Sequence, residues 1–146
     1  FREHDNYGQY AGVELSSNQI TIGNETFDVT INLTDLQGNR VRRILVPIKT
    51  RETEGGGHAH LFTRDINFAL NAARLHDAND FLIAVIVAKN WSEREKENIR
   101  QMVDHAVIFD LSPNEFSEFS IDEQNRLNTF VASLLQGQIQ PKTITD

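Results

Sequence analysis

The sequence predicts an α/β domain, a mixed β-sheet flanked by helices on both faces, and three observations carry that prediction. Phe27, Val29, Ile31 and Leu33 alternate with Asp28, Thr30, Asn32 and Thr34, the period-two pattern of a strand with one apolar face. From His58 to His76 the period lengthens, with Leu61, Phe62, Ile66, Ala69, Leu70, Ala73 and Leu75 mostly at helical spacing. FLIAVIVA, within Asp80–Ala88, is an unbroken apolar run rich in β-branched residues, as expected of a strand covered on both faces. Strands that begin as a meander and then alternate with helices make a mixed sheet, with right-handed crossovers and the FLIAVIVA strand inside it.

Phe1 to Ser17 is polar and weakly patterned, anchored by Tyr7, Tyr10, Val13 and Leu15, and reads as the tail of a helix. Gln19–Glu25, QITIGNE, is a short strand turning at Gly23-Asn24 into the main hairpin. Leu36–Asn39 supply the hairpin turn, because Gly and Asn tolerate positive φ, and Arg40–Arg51 form the returning strand. Ser92 and Glu95 make an S-x-x-E capping box for a helix to about Val103. A second buried strand, Ala106–Leu111, precedes an acidic connector from Pro113 to Ser120. Ile121–Leu135 closes the fold with Leu127, Phe130, Val131, Leu134 and Leu135 on one apolar face, which serves as core or as a dimer interface. Gly137 stops that helix, and Gln138–Asp146 reads as a frayed tail.

A chain of 146 residues suits one domain with a single core. It opens on Phe1 rather than methionine, as a fragment of a longer chain or a trimmed product would. With no cysteine there is no disulfide, thiolate zinc site or thiol nucleophile, which suits a reducing interior. No apolar run reaches membrane length and no signal-peptide pattern opens the chain, so a cytoplasmic location is expected. A formal net charge of −7 argues against binding nucleic acid through bulk charge. Yet Arg40, Arg42, Arg43, Lys49, Arg51 and Arg64 gather six of the fourteen Lys and Arg residues into 25 positions. A basic stripe beside an isolated acid suits a site for phosphates and a divalent cation; the plain alternative is a solvated hairpin face.

Hairpin register sets that acid, Asp28, beside Lys49. With the turn centred on Gly38-Asn39, position 49 lies opposite position 28; centred one residue earlier, position 47 does. Lys49 is then directly across from Asp28 or diagonal to it. As a simple surface ion pair the contact is worth less than ~1 kcal/mol.

An acid on the first hairpin strand, an apolar second strand ending in Pro47-Ile48-Lys49, and then helix, strand, helix, strand resembles the PD-(D/E)XK nuclease superfamily, best populated by type II restriction endonucleases. The resemblance spans roughly residues 14–111. It implies a restriction-endonuclease-like core and a Mg²⁺-dependent endonuclease hydrolysing double-stranded DNA in a prokaryotic restriction system, as a homodimer because two strands need two sites. By the resemblance Asp28 binds Mg²⁺, with the Ile48 carbonyl as second protein ligand. Lys49 orients the attacking water or stabilises the pentavalent oxyanion, and Glu14, arriving from a preceding helix, supports the site through water. Such chemistry needs a nucleophilic water, a cation against the charge on the phosphoryl oxygens and a fixed line of attack. The family places a second carboxylate two residues before the lysine, where this chain has Pro47. Glu52, Glu54 and Asp65 are the local substitutes; Glu52 is preferred, because a proline-associated bulge reverses its strand parity.

The string that follows, Thr50 to His60, runs three glycines into a helix, where free N–H groups face a phosphate. His58 and His60 can donate there to a phosphate or a guanine edge, and Arg51 and Arg64 can reach the DNA backbone or a base. The loop is no Walker motif, since no lysine and hydroxyl residue follow the glycines, and His-x-His lacks a third zinc ligand at fitting spacing. A flexible loop with a histidine capping the helix is the simpler alternative. Two other functions fit the same residues: a nuclease-like fold that lost its second acid and only recognises DNA, or an α/β domain holding a phosphorylated ligand at Gly55–His60. Trp91 is expected to pack at the sheet end, and His105 and the acids of the Asp110–Glu123 region to be solvated.

Overall fold

The meander starts one element earlier than the sequence pattern suggests. The computed structural model describes residues 8–50, 59–89, 91–110 and 119–142, apart from the side chains of 59–61. Its strands are β1 (Gly12–Ser16), β2 (Ile20–Ile22), β3 (Glu25–Phe27), β4 (Val29–Thr34), β5 (Arg40–Val46), β6 (Ile48–Thr50), β7 (Phe81–Ala88) and β8 (His105–Asp110); its helices are α1 (Ala59–His76), α2 (Glu93–Met102) and α3 (Ile121–Leu135). The segment expected to end a helix is β1, antiparallel to β4 with Glu14 opposite Asn32. Gly12, Val13 and Ser16 form helix poorly, and the edge of β4 offers their backbone partners.

The main sheet runs β1-β4-β5-β7-β8, antiparallel through β5 and parallel from β5 to β8. β6 continues β5 along β7, for Ile44 pairs with Phe81 and Ile48 with Val85, an unchanged register across Pro47. Pro47 accepts the Val85 N–H at 3.0 Å but has no N–H to return, so the ladder is interrupted there. In the β4–β5 hairpin Val29 faces Val46, the earlier of the two registers, with a shift between Leu33 and Thr34. Gly38 takes φ 81°, and Asp35 closes the turn by accepting the Gln37 and Asn39 N–H groups, both at 2.9 Å.

The expected Phe27–Thr34 strand is broken at Asp28. Phe27 ends β3, which pairs only with β2, and its ring joins the core on the α1 and α2 side; Ile31 and Leu33 face the α3 side. On the first side Leu45, Leu82, Ala84 and Ile86 meet Phe62, Ile66 and Ala69 of α1 and Ile99 of α2. On the second, Ile44, Val46, Ile83 and Val107 meet Phe130 and Leu134 of α3, so the apolar face of α3 is core rather than an open dimer surface. β7 lies between β5 and β8, covered on both faces, as its composition predicted. Both halves of the α2 capping box form: Ser92 Oγ accepts from Glu95 N at 3.1 Å and Ser92 N donates to Glu95 at 3.3 Å. No helix among the described residues is long and apolar enough to cross a membrane.

The basic stripe is not one surface. Arg43 is buried, its Nε 3.1 Å from Asp80, and Arg42 donates to the Asn79 carbonyl at 3.4 Å and to Gln140 at 3.0 Å. Both lie at the N-terminal end of the parallel strands, and six residues of strand put Arg43 roughly 20 Å from Lys49. Nor is the tail frayed through residue 142. Lys142 N donates to Asp104 at 2.7 Å, its carbonyl accepts from Arg74 Nε at 2.6 Å, and its Nζ donates to the last carbonyls of α2, Arg100 at 3.2 Å and Gln101 at 3.1 Å. A lysine at a helix C-terminus answers both the open carbonyls and the macrodipole.

Candidate active site

Asp28 stands at the bend where β3 gives way to β4, and its own N–H donates to Val46 O at 3.1 Å. The residue before it then turns away from β5, so the strand beyond Val46 lacks an antiparallel neighbour. The Asp28 side chain fills that gap: one oxygen, Oδ2, accepts the Ile48 N–H at 2.7 Å, and Oδ1 accepts from Gln19 Nε2 at 3.1 Å. Gln19, just before β2, carries no sequence signal for this role, since it reaches Asp28 only once the β2–β3 hairpin folds back.

Lys49 is the next residue. It pairs with Ile86, which faces the α1 and α2 side, so Lys49 shares that face at the C-terminal ends of β6 and β7. The register sets it diagonal to Asp28, with Pro47 in the directly opposite position when the Val29–Val46 pairing is extended by one residue. Lys49 is half-buried and forms no ion pair among the described residues, so the simple cross-strand salt bridge is not made.

The donor set fits Mg²⁺ in part. Each Asp28 oxygen accepts one neutral hydrogen bond and keeps a second lone pair. Strand carbonyls alternate in direction, and Pro47 O faces β7, so the Ile48 carbonyl faces the side where Asp28 stands. One carboxylate and one carbonyl on a common edge suit an ion that retains several waters. Among the described residues no three His, Cys, Asp or Glu side chains group as metal ligands.

Glu14 does not belong to this group. It is exposed on strand β1 rather than on a preceding helix, and its partner Asn32 is four residues along β4 from Asp28, roughly 13 Å away. Arg64 is exposed in the second turn of α1, 3.8 Å from Asp65. Glu52, Glu54, Arg51, the three glycines and His58 lie outside the described residues, as does the side chain of His60. Trp91 packs at the sheet end as expected, with its ring 5.2 Å from Phe62 and its Nε1 donating to Ala88 O at 2.8 Å. The expectation of a solvated His105 is overturned: its ring stacks on Phe130 at 4.9 Å, and burial lowers its pKa, opposed by Glu123 and aided by Arg100 and Arg126. Comparison with protein families, with curated proteins and with solved structures gave no match.

Proposed function

We propose that this chain is a Mg²⁺-dependent DNA endonuclease domain of the restriction-endonuclease type, acting on double-stranded DNA as a homodimer in a prokaryotic cytoplasm. The observation that supports it most is the junction of Asp28 with Ile48-Lys49: an antiparallel meander, a helix and a parallel strand bring one carboxylate to the residue before a lysine that has no ion-pair partner among the described residues. That junction is at the carboxyl ends of the parallel strands, where open α/β sheets bind ligands. Asp28 and the Ile48 carbonyl hold the ion, completed by Glu52. The ion, when bound, neutralises charge on the phosphoryl oxygens. Lys49 orients the attacking water and steadies the charge that develops on the oxygens. Arg51, His58, His60 and Arg64 hold the DNA backbone or base edges around the start of α1.

A second reading has its own observation. The Val29–Val46 register, extended by one residue, sets Pro47 across from Asp28, and the Asp28 carboxylate already has a structural task on the Ile48 N–H. A fold kept for recognising DNA without cutting it accounts for both.

Cleavage of duplex DNA with Mg²⁺, and with the ion chelated, separates the two when measured beside binding. The substitutions are Asp28→Asn, whose amide oxygen can still accept the Ile48 N–H, and Lys49→Ala. The nuclease reading expects Mg²⁺-dependent cutting that falls about 100-fold or more in each variant while binding persists. Binding without any cutting by the unmodified chain supports the second reading; neither binding nor cutting removes both.

A further inference from the structure

We propose that a cleft bounded by α2, the start of β8, α3 and the C-terminal tail binds a small phosphorylated molecule, in class a sugar phosphate. It encloses about 580 Å³, within the range of small-ligand sites, and Arg100, His105, Asn125, Arg126, Thr129 and Lys142 are among its lining residues. It lies by the first residues of β8, at the other end of the parallel strands from Asp28 and Lys49, and does not depend on the nuclease reading.

Two buried nitrogens of its wall, Arg100 Nε and His105 Nε2, have no hydrogen-bond partner among the described residues. An arginine Nε–H only donates, so only an acceptor can satisfy it, and leaving a buried donor unmet is unfavourable. Arg100 Nη2 donates to Glu123 at 2.8 Å. Charge in the cleft is unbalanced toward the positive. Asp104 is engaged by Arg74, and Glu123 by Arg100, leaving Glu97 as the remaining acid of the lining, itself accepting from Gln101 at 3.5 Å. Arg126 is exposed and has no ion-pair partner among the described residues. Its guanidinium matches the fork of a phosphate.

The space exceeds what a bare phosphate fills. Asn125 and Thr129 stand one turn apart on one exposed face of α3, neutral groups suited to the hydroxyls of an attached sugar. Neither unpartnered nitrogen is open to solvent, so ligand entry involves a rotamer change at Arg100 or His105. His105 reports on it. Burial, with Arg100 and Arg126, favours its neutral form against the pull of Glu123, and Asp104 and Lys142 flank the same cleft; a bound anion shifts the balance toward the imidazolium.

The test is a nuclear magnetic resonance titration of the isotope-labelled chain with inorganic phosphate and then ribose 5-phosphate, at constant ionic strength set with chloride. Expected are saturable shifts at the Asn125 and Thr129 amides and the His105 imidazole, with the His105 titration midpoint raised. Ribose 5-phosphate binds about tenfold more tightly than phosphate, and Arg126→Gln weakens both about tenfold with an otherwise unchanged spectrum. Absence of saturable shifts overturns the site, as does binding unaffected by Arg126→Gln. Equal affinity for the two probes overturns the sugar phosphate as ligand.

Discussion

Arg74 commits every guanidinium nitrogen: Nε to Lys142 O at 2.6 Å, Nη1 to Asp80 O, and Nη2 to Asp104 at 2.9 Å. The Asp104 side chain is 2 % exposed and also accepts the Leu82 N–H at 2.7 Å. Arg74→Met leaves that carboxylate charged and buried without its cation, so a loss of about 3–5 kcal/mol is expected, read as a lower urea midpoint at unchanged slope. The double change Arg74→Met with Asp104→Leu loses less, because no orphaned charge remains. His105 makes the opposite kind of statement. Burial lowers its pKa from 6.5, so the folded state binds the proton less readily than the unfolded one. Its contribution is therefore present above pH 6.5 and is lost as pH falls through the lowered folded value. His105→Phe, which keeps a ring on Phe130, is expected to flatten the loss of stability between neutral and mildly acid pH; an unchanged pH profile would contradict the assignment.

Elements whose signal is local were legible, and those made by distant partners were not. The α2 cap, the turn at Gly38 and the apolar β7 each declare themselves within eight residues. β1 does not, because a five-residue strand with Gly and Ser becomes one only through β4. The break at Asp28 was hidden as well: an alternating string on both sides of a bend reads as one strand, yet Phe27 and Ile31 pack on opposite faces of the sheet. Asp28 and Lys49 were found from register, whereas Gln19, nine residues upstream of Asp28, needed the β2–β3 hairpin. Glu14 was misplaced by the same β1 error, and its position gives it another task. Among the described residues β1 ends the sheet, with Leu15 60 % exposed, an edge that can pair with a second chain. An antiparallel self-pairing centred on the strand sets Glu14 against its own copy, where like charges repel. Glu14→Val is accordingly expected to raise self-association in light scattering, without affecting the DNA cutting per folded chain that the proposed nuclease reading expects.

At the scale of the molecule the ion network of the described residues gathers at one end of the sheet. Where the parallel strands begin, Arg43, Arg74, Asp80 and Asp104 interlock and the tail is strapped across them through Gln140 and Lys142. Where they finish, Lys49 is unpaired among the described residues and Asp28 caps the gap in the sheet. The eight residues of β7 separate the two ends by roughly 25 Å. Ionic groups at the beginning of the strands therefore hold the scaffold at the end away from Asp28 and Lys49. Ending the chain after Gln138 tests that division. It removes Ile139 from the α3-side core, strips partners from Arg74 and Asp104, and uncaps the last carbonyls of α2. The expected loss is about 2–5 kcal/mol in urea unfolding, since several buried polar groups are orphaned at once. On the proposed nuclease reading, cutting or binding of DNA per folded molecule is expected to stay within about twofold, because no strap residue touches Asp28 or Lys49 and distant, unconnected sites behave independently. A fall in activity larger than the unfolded fraction explains would mean that the ion network sets the geometry at the far end of β7, and the division would not hold.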